Sequence, residues 1–282
     1  MSTIAILGAG ELGGATAHAL AGRGSVSRVL LIDLNGQVAA GKALDIQQAG
    51  AIAAFATRLE GATDPTRVAG CSVCVVADRA GQPSSEWRRD DGLETVARFV
   101  RDAGTAPVVF AGSGQESLMR ALATEVRVQR RRLIGSAPEA LVAAVRAMVA
   151  IEAGCSVTEV SLSVLGRAPR GIVVPWVEAS VAGYALEKVL TQAQLARVEA
   201  RLPRLWPPGP YTLGLAAAEV VDAIVRSSRR PRCVTAVLEG EFGARGQVGA
   251  IPAYLGPSGI ERTAVPALNT RERVQVEAAL EI

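Results

Sequence analysis

Ile4-Ala5-Ile6-Leu7-Gly8-Ala9-Gly10-Glu11-Leu12-Gly13 is the stretch on which the fold of this 282-residue chain turns. Ile4–Leu7 is four apolar residues in a row, the pattern of a short strand buried on both faces, and a helical pattern follows over Leu12–Arg23. Between them lies a G-x-G-x-x-G. With 29 glycines in the chain, random placement alone yields about 0.3 such patterns, so the spacing means little without its context. Here it directly follows a strand and opens a helix. Each glycine then has a mechanical role: Gly8 permits a tight turn, Gly10 lets a phosphate approach the backbone, and Gly13 lets helix and strand pack closely. An anion is expected on the free N–H groups of that helix start, at Glu11 and Leu12.

The second apolar strand, Val29–Ile32, ends at Asp33, twenty residues beyond Gly13. An acid at this place accepts the hydroxyls of an adenosine ribose and repels a 2′-phosphate, and no arginine follows in Leu34-Asn35-Gly36. The expected cofactor is therefore NAD(H) rather than NADP(H), held by Gly8, Gly10, Glu11, Leu12, Gly13 and Asp33.

Strand and helix patterns keep alternating outward from this unit. Helices are predicted over Val38–Gln48, Leu93–Asp102 and Leu118–Val128, and strands over Val73–Val76, Val108–Phe110 and Leu133–Ile134. This predicts an α/β fold with a doubly wound parallel sheet over residues 1–135. After Gly135 the rhythm changes to α+β, giving a second domain over 136–282. It starts with a helix over Glu139–Ala153, and further helices are predicted at Leu195–Arg201 and Leu215–Arg226. Strands are expected near Val160–Val164, Ile172–Ala179, Val234–Glu239 and Gly249–Leu255, with a rigid connection at Pro203–Pro210. The last helix starts at Asn269, with Glu272 three residues later as a capping box.

Composition excludes several classes. At 49% hydrophobic, 20% charged and a net charge of +3, the chain is not disordered. Its longest apolar stretch, Ala140–Ala153, is cut by Arg146 and Glu152, short of the ~18 residues a membrane span requires. No basic leader precedes Ile4, and four cysteines make no disulfide framework, so a cytoplasmic setting is expected. Cys71 and Cys74 read as small buried residues of a strand, facing opposite sides. All but two of the 30 basic residues are arginines, Lys42 and Lys188 being the exceptions, and aromatics are only 4%. The cluster Arg127, Arg130, Arg131 and Arg132 reads as a solvated helix end, and no nucleic-acid partner is expected. There is a single histidine, His18.

Beyond the glycine turn, Ile32-Asp33-Leu34 and Gly41-Lys42-Ala43-Leu44-Asp45 resemble the lactate/malate dehydrogenase family. So do Gly240-Glu241-Phe242-Gly243, Gly249-Ala250-Ile251-Pro252-Ala253-Tyr254-Leu255-Gly256, Gly259-Ile260-Glu261 and Leu268-Asn269 with Glu272. The resemblance covers essentially the whole chain and implies a homo-oligomeric, NAD-dependent enzyme interconverting 2-hydroxy and 2-keto acids. It also implies a catalytic histidine, an aspartate that orients it and an arginine that grips the substrate carboxylate. Counted without gaps from Ile134-Gly135, the aspartate and arginine positions hold Leu141 and Ala144; in Gly166-Arg167-Ala168-Pro169-Arg170-Gly171, before Val174-Pro175, Ala168 stands about where the histidine belongs. His18, on the first helix, cannot be aligned there.

The mobile loop of the family is altered as well. Ala80-Gly81-Gln82-Pro83 resembles its start, Ser84 stands for an expected arginine, and Arg88 or Arg89 retains the second; Gly112-Ser113-Gly114 replaces an Asn-Pro. Arg88, Arg89, Arg167 and Arg170 are the candidates for a small anionic ligand. No metal site is expected. Three functions follow from these residues. The first is an NAD(H)-binding family member without ordinary 2-hydroxy-acid chemistry, acting in regulation, sensing or partnership. The second is an active oxidoreductase using non-standard residues, and the third is an interaction module without nucleotide.

Overall fold

The computed structural model describes residues 2–81, 83 and 85–281. The first half runs β1 Thr3–Leu7, α1 Glu11–Arg23, β2 Arg28–Ile32, α2 Gly36–Ala53, β3 Arg58–Ala62, β4 Val73–Val76, β5 Asp78–Arg79, β6 Ser85–Glu86, α3 Arg89–Asp102, β7 Val108–Phe110, α4 Glu116–Thr124 and β8 Leu133–Gly135. Within it, β3-β2-β1-β4-β7-β8 are parallel neighbours in that order, the doubly wound arrangement expected. Every residue of β4, β7 and β8 is buried, because helices cover both faces of a parallel sheet.

The second half opens with α5 Ala137–Ala153, β9 Val160–Ser161, β10 Leu165–Arg167, β11 Gly171–Val173, β12 Ser180–Val181, β13 Tyr184–Ala185, α6 Leu186–Val189 and α7 Gln192–Glu199. It closes with α8 Pro210–Val225, β14 Arg232–Glu239, β15 Arg245–Gly256, β16 Gly259–Thr263 and α9 Thr270–Leu280. The sheet does not stop at β8. Strand β14 pairs antiparallel with it, β15 pairs with β14, and β10, β11 and β16 extend the same sheet. Helix α8 returns to pack on α1, so that Leu213, Ala217, Val220 and Val221 share one apolar cluster with Leu12, Leu20, Ile6 and Val75.

Three local expectations are corrected. The strand expected over Ile172–Ala179 ends at Val173, since Pro175 has no N–H to give a ladder, and Trp176–Glu178 forms a 3-10 turn instead. The strand near Val160–Val164 keeps only two residues, and the chain then bends so that Leu165–Arg167 can join β15. The two Cys-x-x-Cys sulfurs lie 3.3 Å apart rather than on opposite sides. Cys71 precedes β4 by two residues, so strand alternation does not govern it; both thiols are buried, as expected of small core residues. Strand β3 went unforeseen because its edge position tolerates Arg58 and Glu60, which break the apolar pattern.

Candidate functional site

Strand β1 lies between β2 and β4, and the chain leaves those strand ends toward opposite faces, which opens a crevice at their carboxyl ends. Gly8 turns there with φ +109°, in the left-handed half of backbone space that glycine tolerates. Asp33, at the end of β2, is almost fully buried. Its Oδ2 accepts from the Ala9 and Ala80 backbone N–H groups, each at 2.9 Å, and its Oδ1 accepts from Asn35 N–H at 2.9 Å. The carboxylate thus ties the glycine turn to the segment following β4.

The start of α1 has no cap of its own, because Gly10 carries no side chain. Asp78 supplies one from across the crevice. Its Oδ1 accepts from Gly13 N–H at 2.8 Å and its Oδ2 from Leu12 N–H at 3.1 Å, while its backbone oxygen accepts from Gly10 N–H at 3.0 Å. A Cβ on Gly10 would overlap that carboxylate, so the glycine does permit the close approach of an anion. Asp78 is only 4% exposed. Among the described residues, Asp33 and Asp78 are held by backbone N–H groups and not by ion pairs. Lys42 reaches the same turn from α2 and donates to the Gly10 carbonyl at 2.5 Å.

Asp78-Arg79 pairs antiparallel with Ser85-Glu86. The second strand of this pair brings Glu86 to the end of β7, where the carboxylate accepts from Ser113 N–H at 2.9 Å and Gly114 N–H at 2.8 Å. Arg79 stacks on the buried Trp87, 4.8 Å from the ring centre, and pairs with Asp91. The readings made of Gln82 and Ser84 lie outside the described residues. Arg88 precedes α3, with its backbone N–H donating to Asp91, and Arg89 pairs with Glu125 at 2.8 Å on the surface.

Leu141 and Ala168, chosen by counting, do meet. Both line one cavity with Glu116, Ile172, Trp206 and Thr235, and its volume is about 10 Å³. That is room for one water molecule at most. Ala144 lies outside this lining. Arg167 does not point an open guanidinium inward: its Nε donates to Glu116 at 2.7 Å, and Arg170 pairs with Glu281. Burial raises the Glu116 carboxyl above its ordinary range, against the opposing pull of Arg167. His18 is exposed on α1, beside a groove between α1, α2 and α8 that also exposes Tyr211 and Leu215. Among the described residues no cluster of metal-ligating side chains occurs, and no helix is long and apolar enough to cross a membrane.

Sequence reasoning missed Asp78, Glu86 and Glu116. Asp78 carried one available signal, an acid immediately beyond an apolar strand next to the switch point. The other two meet their partners only through tertiary folding. The turn and the helix start have the backbone form that a dinucleotide needs, and the space left by the missing Gly10 Cβ holds the Asp78 carboxylate.

A glycine turn after β1, an acid ending β2 and a six-stranded parallel order define the class, a nucleotide-binding dehydrogenase fold. Residues 2–117 match the NAD binding domain of lactate/malate dehydrogenase. Malate dehydrogenase from Thioalkalivibrio sulfidiphilus is 29% identical over 99% of this chain and 96% of its own length. The Cytophaga hutchinsonii malate dehydrogenase is likewise 29% identical, over 98% and 94%. Among solved structures, malate dehydrogenase from Salinibacter ruber superposes with a TM-score of 0.86 at 23% identity, covering 98% of this chain and 93% of that one. Lactate dehydrogenase from Cryptosporidium parvum superposes with a TM-score of 0.88 at 20% identity, covering 99% and 95%. Residues 2–117 thus form an NAD binding domain of the lactate/malate dehydrogenase type, and nearly the whole chain is similar to malate dehydrogenases.

Proposed function

We propose that this protein is a member of the family that binds NAD(H) without carrying out ordinary 2-hydroxy-acid dehydrogenation, and that it acts by sensing, regulation or partnership. One observation carries the reading: where a 2-keto acid would need room for at least six heavy atoms, Leu141, Ala168 and Trp206 leave a cavity of about 10 Å³. The residue types agree. Neither Leu141 nor Ala168 can move a proton, and the one histidine is on a different helix. A small anion at Arg167 or Arg170 would have to displace Glu116 or Glu281, which makes that ligand the less supported part of the proposal.

The protein is further proposed to be a cytoplasmic homo-oligomer, with residues 1–135 as its cofactor half and 136–282 as the half descended from a substrate domain. Exposed Leu44 and Ile52 on α2, with Tyr211 and Leu215 on α8, are the apolar groups such an assembly would cover. Two assays test the function. Saturable NADH binding is expected by fluorescence titration, together with no turnover of lactate, malate, pyruvate or oxaloacetate at high protein concentration. Turnover of any of the four that is lost in Asp33→Ala overturns the non-catalytic reading.

A further inference from the structure

A helix N-terminus attracts an anion, and in a glycine-turn nucleotide fold that anion is the dinucleotide's pyrophosphate, which accepts N–H groups of the first helical turn. Here two of those N–H groups, on Leu12 and Gly13, are already taken by the two oxygens of one carboxylate. The space that Gly10 vacates by lacking a Cβ is filled by that same carboxylate. We propose that Asp78 is an internal occupant of the pyrophosphate position, so that NAD(H) enters only by exchanging with it. The proposal deepens the reading of the chain as an NAD(H)-binding protein and rests on it.

Three further features support exchange over mere coexistence. The first is space: with Asp78 in place, no phosphate oxygen can reach Leu12 N–H without meeting a carboxylate oxygen 3.1 Å from that nitrogen. The second is charge. Asp78 and Asp33 are both buried at the turn that Lys42 also reaches, and both are held by backbone N–H groups, so a pyrophosphate would add further negative charge to a turn that already carries two acids. The third is the tether. Asp78 is the cross-strand partner of Glu86 in the β5–β6 hairpin, where Glu86 is held by the Ser113 and Gly114 N–H groups and the adjacent Arg79 by Asp91. Withdrawing Asp78 therefore disturbs its pairing with Glu86, and cofactor entry is linked to the contacts that hold that strand pair.

The exchange has a direct test in the full chain. Asp78→Asn keeps an oxygen that can accept a helix N–H but removes the charge, and Asp78→Ser shortens the side chain. NADH affinity measured by fluorescence titration is expected to rise by about tenfold or more in both variants, equivalent to about 1.4 kcal/mol or more. Without ligand, Asp78→Ser is expected to melt below the wild type because α1 loses its cap. Saturating NADH should raise its melting temperature by more than it raises that of the wild type. A purely structural cap predicts the lower melting temperature with an unchanged dissociation constant, and that result overturns the proposal. So does a failure of the wild type and Asp78→Asn alike to bind NADH. Turnover assays on the same preparations bear separately on the non-catalytic reading: turnover overturns that reading while leaving the affinity ratio to decide the role of Asp78.

Discussion

Two carboxylates show how residues of one type acquire opposite roles from their neighbours. Glu60 accepts hydrogen bonds from Arg28 and Arg67, which hold its carboxyl down to about 2. A lowered native value means that Glu60 stabilises the fold above its unfolded value, and that the contribution fades as pH falls toward 2. Glu60→Gln is expected to lose on the order of 1 kcal/mol at pH 7, most of the shift being screened by solvent, and much less at pH 2 in urea denaturation. Glu139 behaves the other way. Burial pushes it up to about 7, although the Cys233 backbone N–H donates to it. Its native form therefore holds a proton that the unfolded chain releases, and stability is lost as pH rises from about 4.5 to about 7. Glu139→Gln should flatten that dependence, raising the melting temperature at pH 8 relative to the wild type and changing it little at pH 4.5. At the candidate site, the residue scale gives a negative prediction. The triple change Leu141→Asp, Ala144→Arg and Ala168→His is expected to restore no turnover of pyruvate or oxaloacetate, because Trp206 and the Glu116–Arg167 pair still fill the space.

Helix ends carry the clearest agreement between sequence pattern and structure. Asn269 Oδ1 accepts from Glu272 N–H at 2.9 Å, and Glu272 accepts from Asn269 N–H at 2.9 Å, the reciprocal capping box that the spacing predicts. Glu272 also accepts from Trp176 N–H at 2.9 Å, which ties α9 to the 3-10 turn formed where Pro175 ended the expected strand. Asn269→Ala should cost about 1 kcal/mol. Glu272→Ala should cost more, because it removes the box and also orphans the Trp176 N–H; equal losses in chemical denaturation would refute the second role. Elsewhere the elements fell short of the sequence pattern for definite reasons. Strand β3 is polar because it lies at an edge, and β9 through β13 are two or three residues long, too short for periodicity to declare them. The capping of α1 is the opposite case. No local residue signals it, because the cap comes from Asp78, 65 residues beyond Gly13.

At the scale of the whole molecule, the two predicted halves share one sheet and one of its apolar clusters. Strand β14 continues the sheet from β8, and α8 covers the face of α1 with Leu213, Val220 and Val221. Residues 1–135 expressed alone would expose that apolar face. They are expected to aggregate or remain partly unfolded, while the full chain unfolds in a single calorimetric transition. A soluble fragment with a sharp melting transition would show that α8 is dispensable to the first half.

The sequence by itself determined the α/β class, the order of the principal strands and helices, the glycine turn and the likeness to lactate/malate dehydrogenases. Those features are written in local periodicity and short motifs, and physics reads them without knowing what packs against them. The positions found by counting, Leu141 on α5 and Ala168 just beyond β10, line the same cavity. Only the tertiary structure decided what fills the crevice. Asp78, Glu86 and Glu116 lie far along the chain from the N–H groups and the guanidinium they satisfy. A helix start presents free N–H groups to any nearby anion, and here a carboxylate folded in from 65 residues away accepts from them.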